Sequence, residues 1–239
     1  MAAALTGDFV AASAAEPNYA LKRVQMIRTI EAQVRDTSYA IGRDRIDPRI
    51  LDVMGALPRH EFVPEDLRQA SYADRALPIG YGQTISQPLI VALMTDILNV
   101  GPTSMVLEVG TGSGYQAAVV AALVRQVYTI EIIPDLARNA ADRLHRLGYT
   151  NVTLRVGDGY FGWPEAAPFD AIIVTAAAAH IPPPLLQQLK PGGRMAIPVG
   201  PPFGLQHLTV VERGTDGRAK NASAISCEVR AANRATPLM

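Results

Sequence analysis

Three carboxylates and one glycine loop are spaced so that together they could hold a nucleoside. Val106-Leu-Glu-Val-Gly-Thr-Gly-Ser-Gly-Tyr115 joins a short apolar run, Met105–Val109, to the turn at Gly110, Gly112 and Gly114. An apolar run of that length, bounded by glycine, reads as a buried parallel strand. Glycines in the following turn let a ligand touch backbone directly, because no Cβ holds it away. The spacing is G-x-G-x-G with Glu108 two residues ahead, not the G-x-G-x-x-G of dinucleotide folds. An acidic residue there suits a ligand with an ammonium group better than one with a pyrophosphate. Alone, the loop has a plainer reading, a tight turn in some other α/β protein. Glu131 and Asp158 favour the functional one. Glu131 lies about twenty residues beyond the loop, where a strand-end carboxylate can accept both hydroxyls of a ribose. Asp158, in Gly157-Asp-Gly159, can accept from the amino group of an adenine. Ammonium, ribose and adenine together point to S-adenosylmethionine.

The elements that must position these groups follow from periodicity. Strands are expected at Met105–Val109, Val127–Ile132, Val152–Val156, Phe169–Thr175 and Arg194–Val199. Helices are expected at Gln116–Arg125, Pro134–Leu147 and around Pro184–Leu189. Such alternation implies a parallel sheet wrapped on both faces by right-handed crossovers. Gln206–Arg213 and Ala224–Arg230, joined by a turn at Gly214 to Gly217, read as an antiparallel hairpin finishing the sheet. The fold class is therefore α/β, a doubly wound and mostly parallel seven-stranded sheet. Ligands in such sheets bind beyond the carboxyl ends of the strands, where the crossovers change sides. Thr175-Ala176 ends the fourth strand, and small residues there leave room for a substrate.

Upstream lies a helical annex. Leu21, Val24, Ile27, Ile30 and Val34 recur at helical spacing over Ala20–Arg35. Asp47-Pro48 reads as an N-cap opening Pro48–Gly55. Ala76 to Leu89 reads as turns leading into a helix, with Ser86 or Gln87 at its N-cap and Pro88 at its first position. Residues 1–18 read as a loose extension and 19–239 as one domain: annex 19–100, cofactor core 101–200, hairpin and tail 201–239.

The chain has 239 residues, of which 49% are hydrophobic and 18% charged, so it can build a sizeable core. Acidic and basic residues balance at 22 each, which leaves no net field to recruit nucleic acid or an anionic membrane. A single cysteine, Cys227, excludes an internal disulfide and a thiolate metal cluster, and the four histidines show no ligand spacing. No metal, nucleic acid or membrane partner is expected, and a monomer is. The N-terminal segment lacks a basic leader and Gly7-Asp8 interrupts its apolar part. The expected location is the cytoplasm, with the periplasm as the alternative if that segment is the remnant of a signal peptide.

The set of strand ends resembles that of the class I methyltransferases over Met105 to Gly200. Pro58-Arg-His-Glu-Phe-Val-Pro64, Tyr72-Ala-Asp-Arg-Ala-Leu-Pro-Ile-Gly80 and Gly82-Gln-Thr-Ile-Ser-Gln-Pro88 narrow it further. These blocks resemble the signature of the protein-L-isoaspartate (D-aspartate) O-methyltransferases, as do Phe169 to Ala176 and Pro198-Val-Gly200. The match runs over about residues 20–213 and includes a block outside the general methyltransferase pattern. The resemblance implies that Ser86 occupies the position of the family's active-site serine. It implies that Thr84, Ile85 and Gln87 lie over the cofactor with Glu108, Gly110, Gly112, Ser113, Glu131, Asp158 and Gly159, and that Thr175 and Ala176 face the substrate. The implied activity is methylation of isoaspartyl carboxylates in damaged proteins, the ester then collapsing to a succinimide that opens partly to normal aspartate.

One segment departs from the family, which usually ends close to V-R-F-V-P-L. Here Val229-Arg230 fits, but Ala231-Ala-Asn233 replaces the bulky part. An apolar wall of the peptide site is then missing or rebuilt, which bears on the acceptor and not on the cofactor. Two other readings follow: a carboxyl methyltransferase with a different acceptor, and a cofactor-binding module without turnover.

Overall fold

The computed structural model describes residues 16–201 and 205–230, with side chains over 19–201 and 206–220. The expected loose extension and the divergent tail at 231–239 lie outside the described residues, apart from the first turn of helix at 16–18.

Helices α1 (Glu16–Asp36), α2 (Ser38–Ile41) and α3 (Pro48–Ala56) form the annex. Asp47 caps α3 as expected, its carboxylate accepting from the Arg49 amide at 2.9 Å. In α1 the buried stripe is Met26, Ile30 and Val34, at i, i+4, i+8. Leu21 and Val24, expected on that stripe, are 67% and 49% exposed, because they lie on the far side of the helix from Met26. Strands β1 (Leu77–Gly80) and β2 (Gln83–Ile85) form a hairpin where turns were expected. Segments of three and four residues are too short to show a period. Helix α4 (Pro88–Leu98) is buried at every position but Asp96, the mark of a helix at the centre of a domain.

The main sheet comprises β3 (Met105–Val109), β4 (Gln126–Glu131), β5 (Val152–Val156), β6 (Phe169–Val174), β7 (Leu189–Val199), β8 (Leu205–Arg213) and β9 (Ala219–Arg230). Between them run α5 (Tyr115–Ala121), α6 (Pro134–Arg146) and α7 (Pro183–Gln187). The order is β5-β4-β3-β6-β7-β8-β9, parallel from β5 to β7 and antiparallel thereafter. Lys190-Pro-Gly-Gly193, ahead of the strand expected from Arg194, belongs to β7 as an irregularity in its pairing with β6. Successive strand residues face opposite layers. Val106, Val127, Ala171 and Ile173 join the annex and α4 in one apolar cluster, while Leu107, Val109, Ile130 and Ile172 pack with α7 on the other side. Annex and sheet thus share a core. Among the described residues no helix is long and apolar enough to cross a membrane.

Crossovers run outward from β3 to β4 and β5, then return to β6 on the other side of β3. The switch point therefore lies between β3 and β6, at the tip that carries the glycine loop.

Candidate active site

A cleft opens at the switch point, lined by Gln83, Thr84, Val109, Gly110, Gly112, Ile130, Glu131, Ile132, Ile133, Gly159, Thr175 and Ala176. Its floor is the glycine loop. Gly110 has φ +97°, and a Cβ there would stand 2.6 Å from Thr175 Oγ1 and 3.3 Å from the Ala176 nitrogen. Only glycine lets β3 turn this close to the end of β6. The turn is pinned from two neighbouring strands. The amides of Gly110 and Thr111 donate to the Ile130 carbonyl at 2.8 and 3.2 Å, and the Thr175 hydroxyl donates to the carbonyls of Val109 and Gly110. Gly159 belongs to the same close packing, since a Cβ there would fall 2.2 Å from Val109 Cγ1.

Glu131, the last residue of β4, forms one wall. One carboxylate oxygen accepts from the Gly112 amide at 2.7 Å and the other from the Ile133 amide at 3.0 Å. Each oxygen keeps a second lone pair, so the carboxylate can still accept from a ligand in the cleft. Val109, Ile130, Ile132 and Ile133 supply apolar surface beside it. An accepting carboxylate, an exposed backbone turn and an apolar slot fit the ribose and adenine of S-adenosylmethionine.

The opposite wall is the β1–β2 hairpin, through Gln83 and Thr84. Both central residues of its two-residue turn, Tyr81 (φ 53°) and Gly82 (φ 70°), are left-handed. A tyrosine in that region is uncommon. Its hydroxyl donates to Asp135 on the first turn of α6 at 3.1 Å. The hairpin tip is thereby tied to the element that follows Glu131, across the mouth of the cleft.

Several expected contacts lie elsewhere. Glu108 does not line the cleft. It faces the side of β3 opposite to Val109, is 1% exposed, and accepts from the Thr129 hydroxyl at 2.5 Å. Thr129 Oγ1 in turn lies 2.6 Å from Thr111 Oγ1, in the glycine loop. Glu108 Oε1 is buried with no hydrogen-bond partner among the described residues. Burial pushes its carboxyl up to about 8, the charge of Glu131 adding to the effect against the Thr129 bond. Glu108 supports the loop from beneath rather than meeting a ligand from the front. Ile85 packs into the core, as alternation along β2 requires once Thr84 faces the cleft. Ser113 is buried, its hydroxyl accepting from the Tyr115 amide at 3.3 Å. Asp158 caps the 3₁₀ turn Gly159–Phe161 by accepting from the Tyr160 amide at 2.9 Å, next to Gly159 in the cleft wall.

Ser86 follows β2, two residues past Thr84. The N-cap of α4 is Gln87, which makes no side-chain capping bond. Asp74 does that work, accepting from the Leu89 amide at 3.1 Å and from Gln87 Nε2 at 2.6 Å. The side chain of Gln87 is thus committed away from the cleft. The Ser86 carbonyl accepts from Arg59 Nη2 at 2.6 Å. Arg59 is 0% exposed, its Nε donates to the Ser71 carbonyl at 2.7 Å, and its guanidinium lies 4.6 Å from the centroid of the Tyr115 ring. Sequence reasoning assigned no role to Arg59, Asp74 or Gln83, although all three stand inside the quoted blocks. A single buried arginine leaves no periodic signal.

Comparison with known proteins gives the family and the fold. The family model for protein-L-isoaspartate(D-aspartate) O-methyltransferase matches residues 40–230. Protein-L-isoaspartate O-methyltransferase 2 of Syntrophobacter fumaroxidans is 61% identical over 210 residues, 88% of this chain and 85% of that protein. Protein-L-isoaspartate O-methyltransferase 1 of Cupriavidus necator is 58% identical over 205 residues, 86% of this chain and 79% of that protein. Among solved structures, a protein-L-isoaspartate O-methyltransferase superposes with a TM-score of 0.73 at 26% identity, over 90% of this chain and 67% of that one. A Plasmodium falciparum chain solved in complex with S-adenosyl-L-homocysteine shares the fold, with a TM-score of 0.66 at 24% identity over 85% of this chain and 96% of that one.

Proposed function

The chain belongs to the protein-L-isoaspartate(D-aspartate) O-methyltransferase family, and from that premise we propose that it methylates the free carboxylate of L-isoaspartyl and D-aspartyl residues in damaged proteins. The observation that carries the reading is the meeting of the glycine loop, Glu131 and the strand leading to Ser86 around one cleft. When bound, S-adenosylmethionine supplies an electrophilic methyl carbon on a sulfonium centre. Gly110 and Gly112, lacking a Cβ, let it lie close against the loop, Glu131 accepts from its ribose, and the isoleucines beside Glu131 exclude water from its base.

On the acceptor side the chemistry asks little of the protein. The free α-carboxyl of an isoaspartyl residue has a reference pKa of about 3.5 and is ionised at neutral pH, so no general base is required. Alignment and the removal of water are the contributions left to make. Ser86 donates a hydrogen bond that orients the carboxylate. Amides of the α4 terminus add less than the sequence suggested, because Pro88 has none and that of Leu89 is taken by Asp74. The methyl ester formed is the species whose collapse to succinimide begins repair.

The decisive experiment is labelled-methyl transfer to an isoaspartyl peptide and to its aspartyl twin. Transfer to the first alone is expected; equal transfer to both, or to neither, rejects the reading. The proposal includes a monomer, which sedimentation reads, and a cytoplasmic location, which cell fractionation reads.

A further inference from the structure

Arg59 is an expensive residue to keep where it is. The side chain is 0% exposed and forms no ion pair among the described residues; its charge is offset by the Tyr115 hydroxyl beside it and, less, by Asp74. Packing alone would be served as well by an apolar side chain of similar volume. A guanidinium offers instead a rigid planar fork. Here the fork ties the carbonyls of Ser71 and Ser86 together, while its face lies on Tyr115, the first residue of the helix that leaves the glycine loop. The acceptor turn is thus fixed against the element that carries the cofactor loop.

Asp74 holds the other side of the same turn, through Gln87 Nε2 and the Leu89 amide. The backbone is therefore gripped immediately at Ser86 and again within three residues of it. The Ser86 hydroxyl itself is engaged by neither grip. A donor on an immobilised backbone, with no hydrogen bond of its own among the described residues, is the arrangement that preorganised catalysis requires.

We propose that Arg59 and Asp74 are positioning residues for Ser86, setting the rate of methyl transfer through the aim of its hydroxyl and leaving cofactor affinity alone. The proposal rests on the reading of Ser86 as the acceptor-side donor. Neither residue touches the reacting atoms. Lysine at position 59 keeps the charge but offers one nitrogen in place of the two, Nε and Nη2, that reach the separate carbonyls, and asparagine at position 74 keeps the size but weakens the grip.

The test uses the full chain with an isoaspartyl peptide, in the variants Arg59→Lys, Asp74→Asn and Ser86→Ala and the doubles with Ser86→Ala. Binding of S-adenosylhomocysteine by calorimetry and thermal melting are read beside kcat. Arg59→Lys is expected to lower kcat by about 10- to 100-fold, the cost of misplacing an oriented group by a fraction of an ångström to an ångström. The S-adenosylhomocysteine affinity should stay within about threefold, and in the Ser86→Ala background the same substitution should change kcat by less than about threefold. Asp74→Asn should behave alike, and carries the cycle if Arg59→Lys does not fold. An equal loss in both backgrounds overturns the proposal, since the residues then act independently of Ser86. Loss in Ser86→Ala with none in Arg59→Lys or Asp74→Asn overturns the clamp and leaves Ser86 standing. Unchanged turnover in Ser86→Ala removes both.

Discussion

Glu108 gives the sharpest quantitative test, because its environment favours the neutral acid. Its carboxyl is buried under the glycine loop, and burial raises it from 4.5 to about 8. Between those values the unfolded chain has released the proton while the folded protein still holds it. Folding is therefore opposed increasingly as pH rises: the stability contributed by the neutral carboxyl is complete below pH 4.5 and is lost as pH climbs through about 8. At about 1.4 kcal/mol per tenfold change in proton affinity, the whole effect is on the order of 5 kcal/mol.

Glu108→Gln fixes the side chain in its neutral shape. The amide oxygen can still accept from Thr129, and the amide nitrogen falls where Oε1 now has no partner. That second point carries a cost, but one independent of pH. What isolates Glu108 is therefore the change with pH in the difference between variant and parent. For a chain of this size about 2–4 °C of melting temperature corresponds to 1 kcal/mol. The advantage of Glu108→Gln over the parent should grow by about 10 °C between pH 5 and pH 9, followed by circular dichroism without ligand. A difference flat within about 3 °C over that range refutes the buried neutral acid. A difference that changes only below pH 5 shows that Glu108 is ionised in the native protein.

Glu131→Ala should weaken S-adenosylhomocysteine binding by ~1.5–3 kcal/mol, or about 10- to 150-fold, the range for hydrogen bonds to a charged group; calorimetry giving an unchanged Kd would undo the ribose assignment. Gly110→Ala and Gly148→Ala both place alanine at positive φ, but only the first meets atoms within 4 Å. Each should lose about 1 kcal/mol for the backbone, and Gly110→Ala a further 1–3 kcal/mol for the approach to Thr175; equal denaturant midpoints contradict that packing. Tyr81→Phe removes the tie between hairpin and α6, so stopped-flow release of S-adenosylhomocysteine should quicken about two- to fivefold; an unaltered rate means that the tie does not span the exit.

The two strand-end acids show what sequence can and cannot tell. Glu131 and Glu108 each stand beside the ends of adjacent parallel strands, at spacings that suit a ligand. In the structure Glu131 closes β4 and turns toward the loop amides, whereas Glu108 sits one residue short of the end of β3 and turns under them. A single step of alternation separates a cleft wall from a buried support. The expectation of strands at Met105–Val109 and Val152–Val156 required only short hydrophobic patterns, each ended by a glycine, so the parallel sheet and its switch point were legible. The loop was legible for the same reason, because positive φ at Gly110 is a demand on one residue.

Whatever depends on two distant segments meeting was not legible. Ser71 and Ser86 are brought together by a guanidinium at position 59, and Asp74 caps a helix that begins at Pro88. In each case the partner atom is a backbone group, and every residue has one. Nothing in the type of Ser71 or Leu89 marks it as the recipient. The family-like blocks over residues 58–88 could be matched without revealing why an arginine and an aspartate stand there. The geometry shows the annex holding the serine turn by its backbone, and on our proposal this leaves the hydroxyl to the substrate. The annex shares its core with α4 and α5, and from there one side chain, that of Arg59, reaches both the Ser86 turn and Tyr115 at the head of the helix that leaves the glycine loop.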